Sequence, residues 1–483
     1  MKDKLSRRSF LKLAGIAALA TLSGCAPKAL PTAAPIVEPT KVEAKVEPTK
    51  AEAKPAAPKK VQIKVCDFVD KEATGPGVFT RIKYEEFAQT FPDIEVEHLP
   101  YPDVGFEKRK EYWLTAYSQG GPNAVMFDTN KWAWEFGSLK KALILDDYIP
   151  LYFREDWDSL VPVAKKLSTY DGHVVQIPGM IEVHGLVVRR DYLKENGYDE
   201  NYTPKTWPDF LTMIEKLTTD KYYGFQWKTY MRAMSEFLHM NGGDFATEHS
   251  DKTIELHYTR KELVEVLTFL KSGIYPKRFI QKSTLQEFMQ NLNAFQQGQS
   301  AVFNMMPSWV NWLFSVTEFG PEDLNYFCYP IGSSGEAKNG LRPAYVDCGS
   351  HSWVANPYGT LEQNDAVAHY LCWMNSKENI KKQAKWWKEN ELKGAYASPF
   401  TDVPWTTVSV GIPEWWAQPL EEILKLGDVD PAPDYAAGRP YVDAAAAEIL
   451  NDENSDVKAM LQAAEDKTKR EWLDEYHKKL GKS

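Results

Sequence analysis

The sequence predicts an α/β body of two domains. Two observations carry that reading. Between Val61 and Phe127, strand and helix patterns alternate at the spacing of a parallel sheet with helical crossovers. The stretch they open runs to about 420 residues, more than one small hydrophobic core organises.

The elements follow in order. Val61–Val65 reads as a strand, Phe79–Phe91 as a helix, Ile94–Val96 as a strand, Lys108–Gln119 as a helix and Ala124–Phe127 as a buried strand. Ligands of such sheets bind beyond the carboxyl ends of the strands, which directs attention to Asp67–Gly75 and Asp128–Trp134. Asp171-Gly172 is a tight-turn pair between apolar runs and predicts a hairpin. Thr206 is placed to cap a helix whose third position is Asp209, with Phe210, Met213, Ile214 and Leu217 at helical spacing. Tyr223–Trp227 and Val302–Asn304 read as strands, and Ala366–Met374 as a helix. A last helix follows Ser455 as its cap, with Val457, Met460, Leu461, Ala464, Trp472 and Tyr476 on one face and Gly481 at its end.

Two segments precede this body. Residues 1–25 hold Ser6-Arg7-Arg8-Ser9-Phe10-Leu11-Lys12, which matches the twin-arginine export pattern, and then an apolar run, Leu13–Leu22, too short to span a bilayer. Leu22-Ser23-Gly24-Cys25 resembles a bacterial lipobox, so Cys25 is the expected lipidation site. From 26 to 60 there are seven prolines, nine alanines and no aromatic residue, and Val37–Lys45 repeats almost unchanged as Val46–Lys54. Such a segment has too little apolar surface to offset the entropy of folding and is expected to act as a tether.

The chain carries a net charge of −10, and the first 25 residues are net basic, so the body is more acidic still. That argues against nucleic-acid binding. Cys66, Cys328, Cys348 and Cys372 form no CxxC; free thiols and one disulfide both remain open. The nine histidines form no HExxH or HxH, so no metal is expected, and no GxxxxGK[ST], GxGxxG or GxSxG points to a cofactor or a serine nucleophile.

Four pieces between Tyr170 and Thr218 then occur in a telling order: the turn Tyr170-Asp171-Gly172, the strand ending Gln176-Ile177-Pro178, the strand Leu186–Arg190 running into Asp191-Tyr192-Leu193, and the turn Pro204-Lys205-Thr206-Trp207. The set resembles the midsection of family 1 extracellular solute-binding proteins, the maltose-binding-protein-like receptors of ABC importers. Phe91–Tyr101, Gly120–Phe136, Ala294–Val310 and Val346–Pro357 resemble further parts of that family, and the likeness is thinnest from Trp387 to Asp434. The resemblance implies a two-lobed periplasmic-binding-protein-like fold (type II), with strands exchanged between lobes and a ligand cleft between them. It implies lobes of 61–181 plus 350–394 and of 182–349 plus 395–483, with crossings near Met180–His184, Tyr345–Ser350 and Lys393–Ser398. It also implies a monomeric receptor on the extracytoplasmic face of the cell membrane, serving the permease subunits of an importer, with no enzymatic activity and no cofactor.

Sixteen tryptophans, 24 tyrosines and 22 phenylalanines make the chain aromatic-rich. Pyranose rings offer apolar faces and a hydroxyl rim, so a sugar site needs flat aromatic platforms and polar partners. Trp309, after the strand Val302–Asn304, falls where the resemblance places a ring-stacking residue. Trp132 follows Ala124–Phe127, and Trp227 ends its strand with Tyr230 nearby. Asp128 ends a buried strand as a hydroxyl acceptor or a helix cap. Glu182 and Asp347 fall at the first two crossings, as ligand contacts or as interlobe hydrogen bonds. Tyr441 completes the candidate set. Trp207 reads as structural, Trp386 and Trp387 as either a helix face or a site wall, and Asp244 as turn chemistry. Two rivals stay open: an exported glycoside-acting enzyme, and a receptor for a non-sugar solute such as a polyamine or a glycerophosphodiester. For the last, Arg189, Arg190, Lys228 and Arg232 are the basic residues near predicted site segments.

Overall fold

The computed structural model describes residues 60–67, 76–101, 106–127, 130–179, 181–226, 231–281, 288–307, 310–314, 317–336, 346–347, 352–392, 397–427, 438–479 and 481–482. Its strands, in chain order, are β1 (Val61–Cys66), β2 (Ile94–Leu99), β3 (Ala124–Phe127), β4 (Thr169–Tyr170), β5 (His173–Val174), β6 (Ile177–Pro178), β7 (Glu182–Val183), β8 (Gly185–Arg189), β9 (Tyr223–Phe225), β10 (Ala246–Glu248), β11 (Ile254–Leu256), β12 (Ser300–Met305), β13 (Leu324–Phe327), β14 (Val346–Asp347) and β15 (Ser352–Ala355).

Two sheets organise the body. The first has the order β2-β1-β3-β15-β6, with β1 parallel to both β2 and β3, and β15 antiparallel to β3 and β6. The second has the order β13-β8-β12-β9, with β9 and β12 parallel and β8 antiparallel to β12 and β13. Their central strands are apolar because both faces are covered. Along β12 every residue is buried, and β8 is buried from Gly185 to Val188. Tight layers leave no room for a side chain at two positions. A Cβ on Gly224 would lie 2.0 Å from the Ile214 carbonyl oxygen of the covering helix, and one on Gly185 would lie 2.3 Å from Tyr326 Cζ.

Local chemistry explains the elements. Asp171 (φ 53°) and Gly172 (φ 82°) form the two-residue turn of the β4–β5 hairpin. In the helix Trp207–Leu217 the Asp209 N–H donates to Thr206 Oγ1 (3.3 Å) and the Thr206 N–H donates to Asp209 Oδ2 (3.1 Å), a reciprocal cap. The buried face of that helix is Trp207, Phe210, Met213, Ile214 and Leu217. Trp207 is structural, its ring stacked 4.4 Å from that of Phe269. Trp387 is buried on the helix Lys377–Glu389, and Trp386 packs 5.7 Å from Phe79, so this pair forms a helix face.

Two expectations need adjusting, and the cysteine question is answered for three of the four thiols. The helix Val457–Thr468 is capped by Asp456, whose Oδ1 accepts from Ala459 N (3.0 Å). The Ser455 hydroxyl donates to Ile449 O and accepts from Lys271 Nζ (2.7 Å) instead. A π turn over Lys469–Leu473 then rotates the end of that helix, leaving Trp472 stacked on Tyr476. The strand from Tyr223 ends at Phe225 rather than Trp227. Cys66, Cys328 and Cys372 are free thiols; Cys348 lies outside the described residues.

Candidate functional site at the shared sheet edge

Sheet topology sets which strand ends share an edge. The carboxyl ends of β1, β2 and β3, at Cys66, Leu99 and Phe127, lie at one edge of the first sheet. Because Ser352 pairs with both Phe127 and Pro178, the start of β15 and the end of β6 sit at that same edge. In the second sheet, Met305 at the carboxyl end of β12 pairs with Gly185 at the start of β8, and Val302 lies beside Phe225 of β9. Gly185, Phe225 and Met305 therefore mark one edge of the second sheet.

Between the sheets the three predicted crossings meet each other. Glu182 and Val183 of β7 pair with Asp347 and Val346 of β14. Ile181 exchanges backbone hydrogen bonds with Ala397, at 3.1 and 2.9 Å. The chain enters this ribbon from β6 and leaves it into β8, and it returns from β13 through β14 to β15. Glu182 and Asp347 thus face each other across one antiparallel pair.

On the first-sheet side a polar group lies under the loop edge. Asp67, directly after β1, is 3% exposed, and its Oδ1 is 3.0 Å from His98 Nδ1. Asp67 Oδ2, His98 Nε2 and the Tyr370 hydroxyl have no hydrogen-bond partner, which leaves bonding capacity beside the loop edge. Lys83 donates to Met374 O (3.1 Å), and burial pulls its ammonium down to about 8 despite the attraction of Asp67. Burial, aided by the Asp67 charge, pushes the Cys66 thiol up to about 12.

On the second-sheet side, His184 follows β7 and its Nδ1 lies 2.6 Å from Glu236 Oε1, with both side chains buried. Gln226, after β9, is buried and donates from Nε2 to Asn291 Oδ1 (2.8 Å). Arg189 and Arg190 sit at the opposite end of β8. Arg189 is paired with Asp191 (2.5 Å) and Arg190 with Glu200 (2.7 Å). These two cations are committed away from the loop edge.

Of the residues expected in the site, Glu182 and Asp347 are brought together in backbone register. Trp132 is 4% exposed and packs within the hydrophobic core. Tyr441 lies in the first turn of the helix Arg439–Asn451, with Lys467 Nζ 5.4 Å from its ring centre. The Tyr441 hydroxyl is raised by partial burial and by its bond to Glu471. Asp128, Trp227, Tyr230, Trp309 and Cys25 lie outside the described residues, as do Lys228 and the whole of 1–59. Asp244 lies 3.6 Å from His239 Nε2. The pairs Asp67–His98 and His184–Glu236 escaped the sequence reading because each joins residues far apart in the chain. The one available signal was the position of Asp67 at a strand's carboxyl end. Among the described residues no group of three His, Cys, Asp or Glu side chains is disposed to hold a metal ion. None of their helices is long and apolar enough to cross a membrane.

Known structures share this architecture. The maltose-bound MalE3 protein of T. maritima superposes with a TM-score of 0.64 at 18% identity, covering 85% of this chain and 99% of that one. The sugar-binding protein MalE of Xanthomonas citri gives a TM-score of 0.67 at 16% identity, covering 86% and 99%. The Listeria monocytogenes ABC substrate-binding protein Lmo0181, solved with cycloalternan, gives 0.65 at 18%, covering 85% and 99%. These likenesses fix the fold as the two-lobed, MalE-like one. No curated protein matches the sequence. The family model of bacterial extracellular solute-binding proteins matches residues 84–392, well over half of the chain. The chain belongs to the bacterial extracellular solute-binding protein family.

Proposed function

We propose that this protein is an extracytoplasmic receptor that closes its two lobes on a mono- or oligosaccharide and delivers it to the permease subunits of an ABC importer. The observation that carries this reading is the ribbon through which the chain passes from one sheet to the other, where β7 pairs with β14 and Ile181 with Ala397. A solute in that place touches both lobes, binds the closed state better, and so shifts the population toward closure. Family membership supports the receptor role, and the maltose and cycloalternan named for the similar structures support the ligand class.

In this reading Trp309 and Trp227, with Tyr230, stack on the sugar, and Asp128, Glu182 and Asp347 take its hydroxyls. The buried Trp132 braces the loop after β3, and Tyr441 acts from the second lobe. The lobes are 61–181 plus 350–394 and 182–349 plus 395–483. Cys25 carries the lipid, and 26–60 tethers a monomeric body to the outer face of the cell membrane. The protein is a receptor and not an enzyme. A phosphodiester ligand is disfavoured because Arg189 and Arg190 are already paired.

Thermal unfolding with mono- and oligosaccharides, polyamines and glycerophosphodiesters tests the reading. A ligand at a hundred times its Kd adds about 2.7 kcal/mol. A melting shift confined to saccharides, with no turnover, is expected. A shift with polyamines alone, or aryl-glycoside hydrolysis, would overturn it.

A further inference from the structure

A second cavity lies along β13, the outer strand of the second sheet. It encloses about 290 Å³, close to the lower limit of small-molecule pockets and enough for one ring rather than a chain of them. One wall is Trp415, a residue 41% exposed. Its Nε1 donates to Leu324 O (3.1 Å), and the Arg190 guanidinium lies 4.5 Å from its ring centre. The platform is therefore held in place before any ligand arrives.

The polar lining carries both kinds of hydrogen-bonding group. Lys205, Asn201 and Gln418 offer donors, and Glu422 offers acceptors. Asn325 is buried with its Nδ2 committed to Tyr202 O (3.1 Å), which leaves its Oδ1 as a further acceptor. Lys205 and Glu422 form no ion pair; burial raises the Cys328 thiol in the same cavity, with Glu422 adding to the rise and Lys205 opposing it. One positive and one negative charge leave the lining neutral. A neutral lining with donors, acceptors and an indole suits a ligand whose hydroxyls both give and accept protons. Trp415, Gln418 and Glu422 also lie beyond the 84–392 match, so this wall belongs to a part of the chain outside the family model.

We propose that this cavity is a second binding site for a single neutral polyhydroxylated ring, separate from the site between the lobes. It does not depend on the receptor reading. The test is saturation-transfer NMR on the full chain with D-glucose and myo-inositol, and with glycine betaine as the zwitterionic alternative. Saturable glucose or inositol binding that weakens at least tenfold in Glu422→Gln and Gln418→Ala, and persists in Trp309→Ala, is expected. Both altered positions are exposed, so the variants keep the fold; Trp415→Ala should abolish binding. Binding lost in Trp309→Ala but kept in Glu422→Gln assigns the ring to the cleft and overturns the proposal. So does response to glycine betaine alone, or no saturable binding at all.

Discussion

Lys83 offers the sharpest physical test of the first lobe. Its ammonium is held in a side chain 8% exposed, with one hydrogen bond to Met374 O (3.1 Å) and the Phe79 ring centre at 5.8 Å. Burial lowers its pKa from 10.5 to about 8, against the pull of Asp67. A drop of that size corresponds to about 3 kcal/mol. The sign follows from proton counting. Below pH 8 native and unfolded chains both hold the proton, so the native state bears the full cost of a buried charge. Between pH 8 and 10.5 the unfolded chain still holds it while the native one sheds it, so stability rises with pH. Lys83→Met removes this dependence. The stability of the native protein relative to that variant should therefore climb by about 3 kcal/mol from pH 7 to 10.5. Thiols such as Cys66, pushed up to about 12, make stability fall above pH 9, but they are present in both proteins and largely cancel in the difference. Denaturant midpoints followed by tryptophan fluorescence give that difference, and a titration of the ¹³Cε shift of Lys83 gives its midpoint directly. A midpoint near 10.5, or a difference that stays flat with pH, would refute the reasoning.

Other perturbations have defined outcomes. Thr206→Ala removes the reciprocal cap with Asp209 and should cost about 1 kcal/mol, read as a lower melting temperature with ligand affinity unchanged. Gly224→Ala drives a Cβ against the Ile214 carbonyl and should cost about 1–3 kcal/mol or more, seen as loss of soluble protein or an early unfolding transition. Trp309→Ala should abolish saccharide binding in titration calorimetry while leaving the melting temperature close to that of the native protein; unchanged affinity would remove Trp309 from the site.

The sequence made local features legible where the chemistry is local. The Asp171-Gly172 turn, the Thr206 cap and the buried face Phe210–Leu217 are each decided within a few residues, and each is present. The helix cap at 455 slipped by one because Ser455 and Asp456 are both competent. Tertiary partners decided between them, Lys271 taking the Ser455 hydroxyl. The meeting of β7, β14 and Ala397 was placed through family resemblance, since nothing in three short segments announces that they pair. The polar pairs beneath the loops were not legible at all. A buried carboxylate such as Glu236 looks in sequence like any helix-surface glutamate until His184 is brought to it.

The place of β15 in the first sheet has a consequence for how the protein is made. This strand fills the position between β3 and β6, yet it is the last strand among the described residues, translated after every strand of the second sheet. Until it emerges from the ribosome, β3 and β6 each lack a neighbour, and the first lobe waits as an incomplete sheet with open edges. The second sheet, whose strands all lie between 185 and 327, can close earlier. The first sheet should thus be completed after the second, although its first three strands are made before any strand of the second. Such a chain is exposed to aggregation while it waits, and passage across the membrane only after folding, as the proposed twin-arginine signal implies, would give it the time that this topology demands.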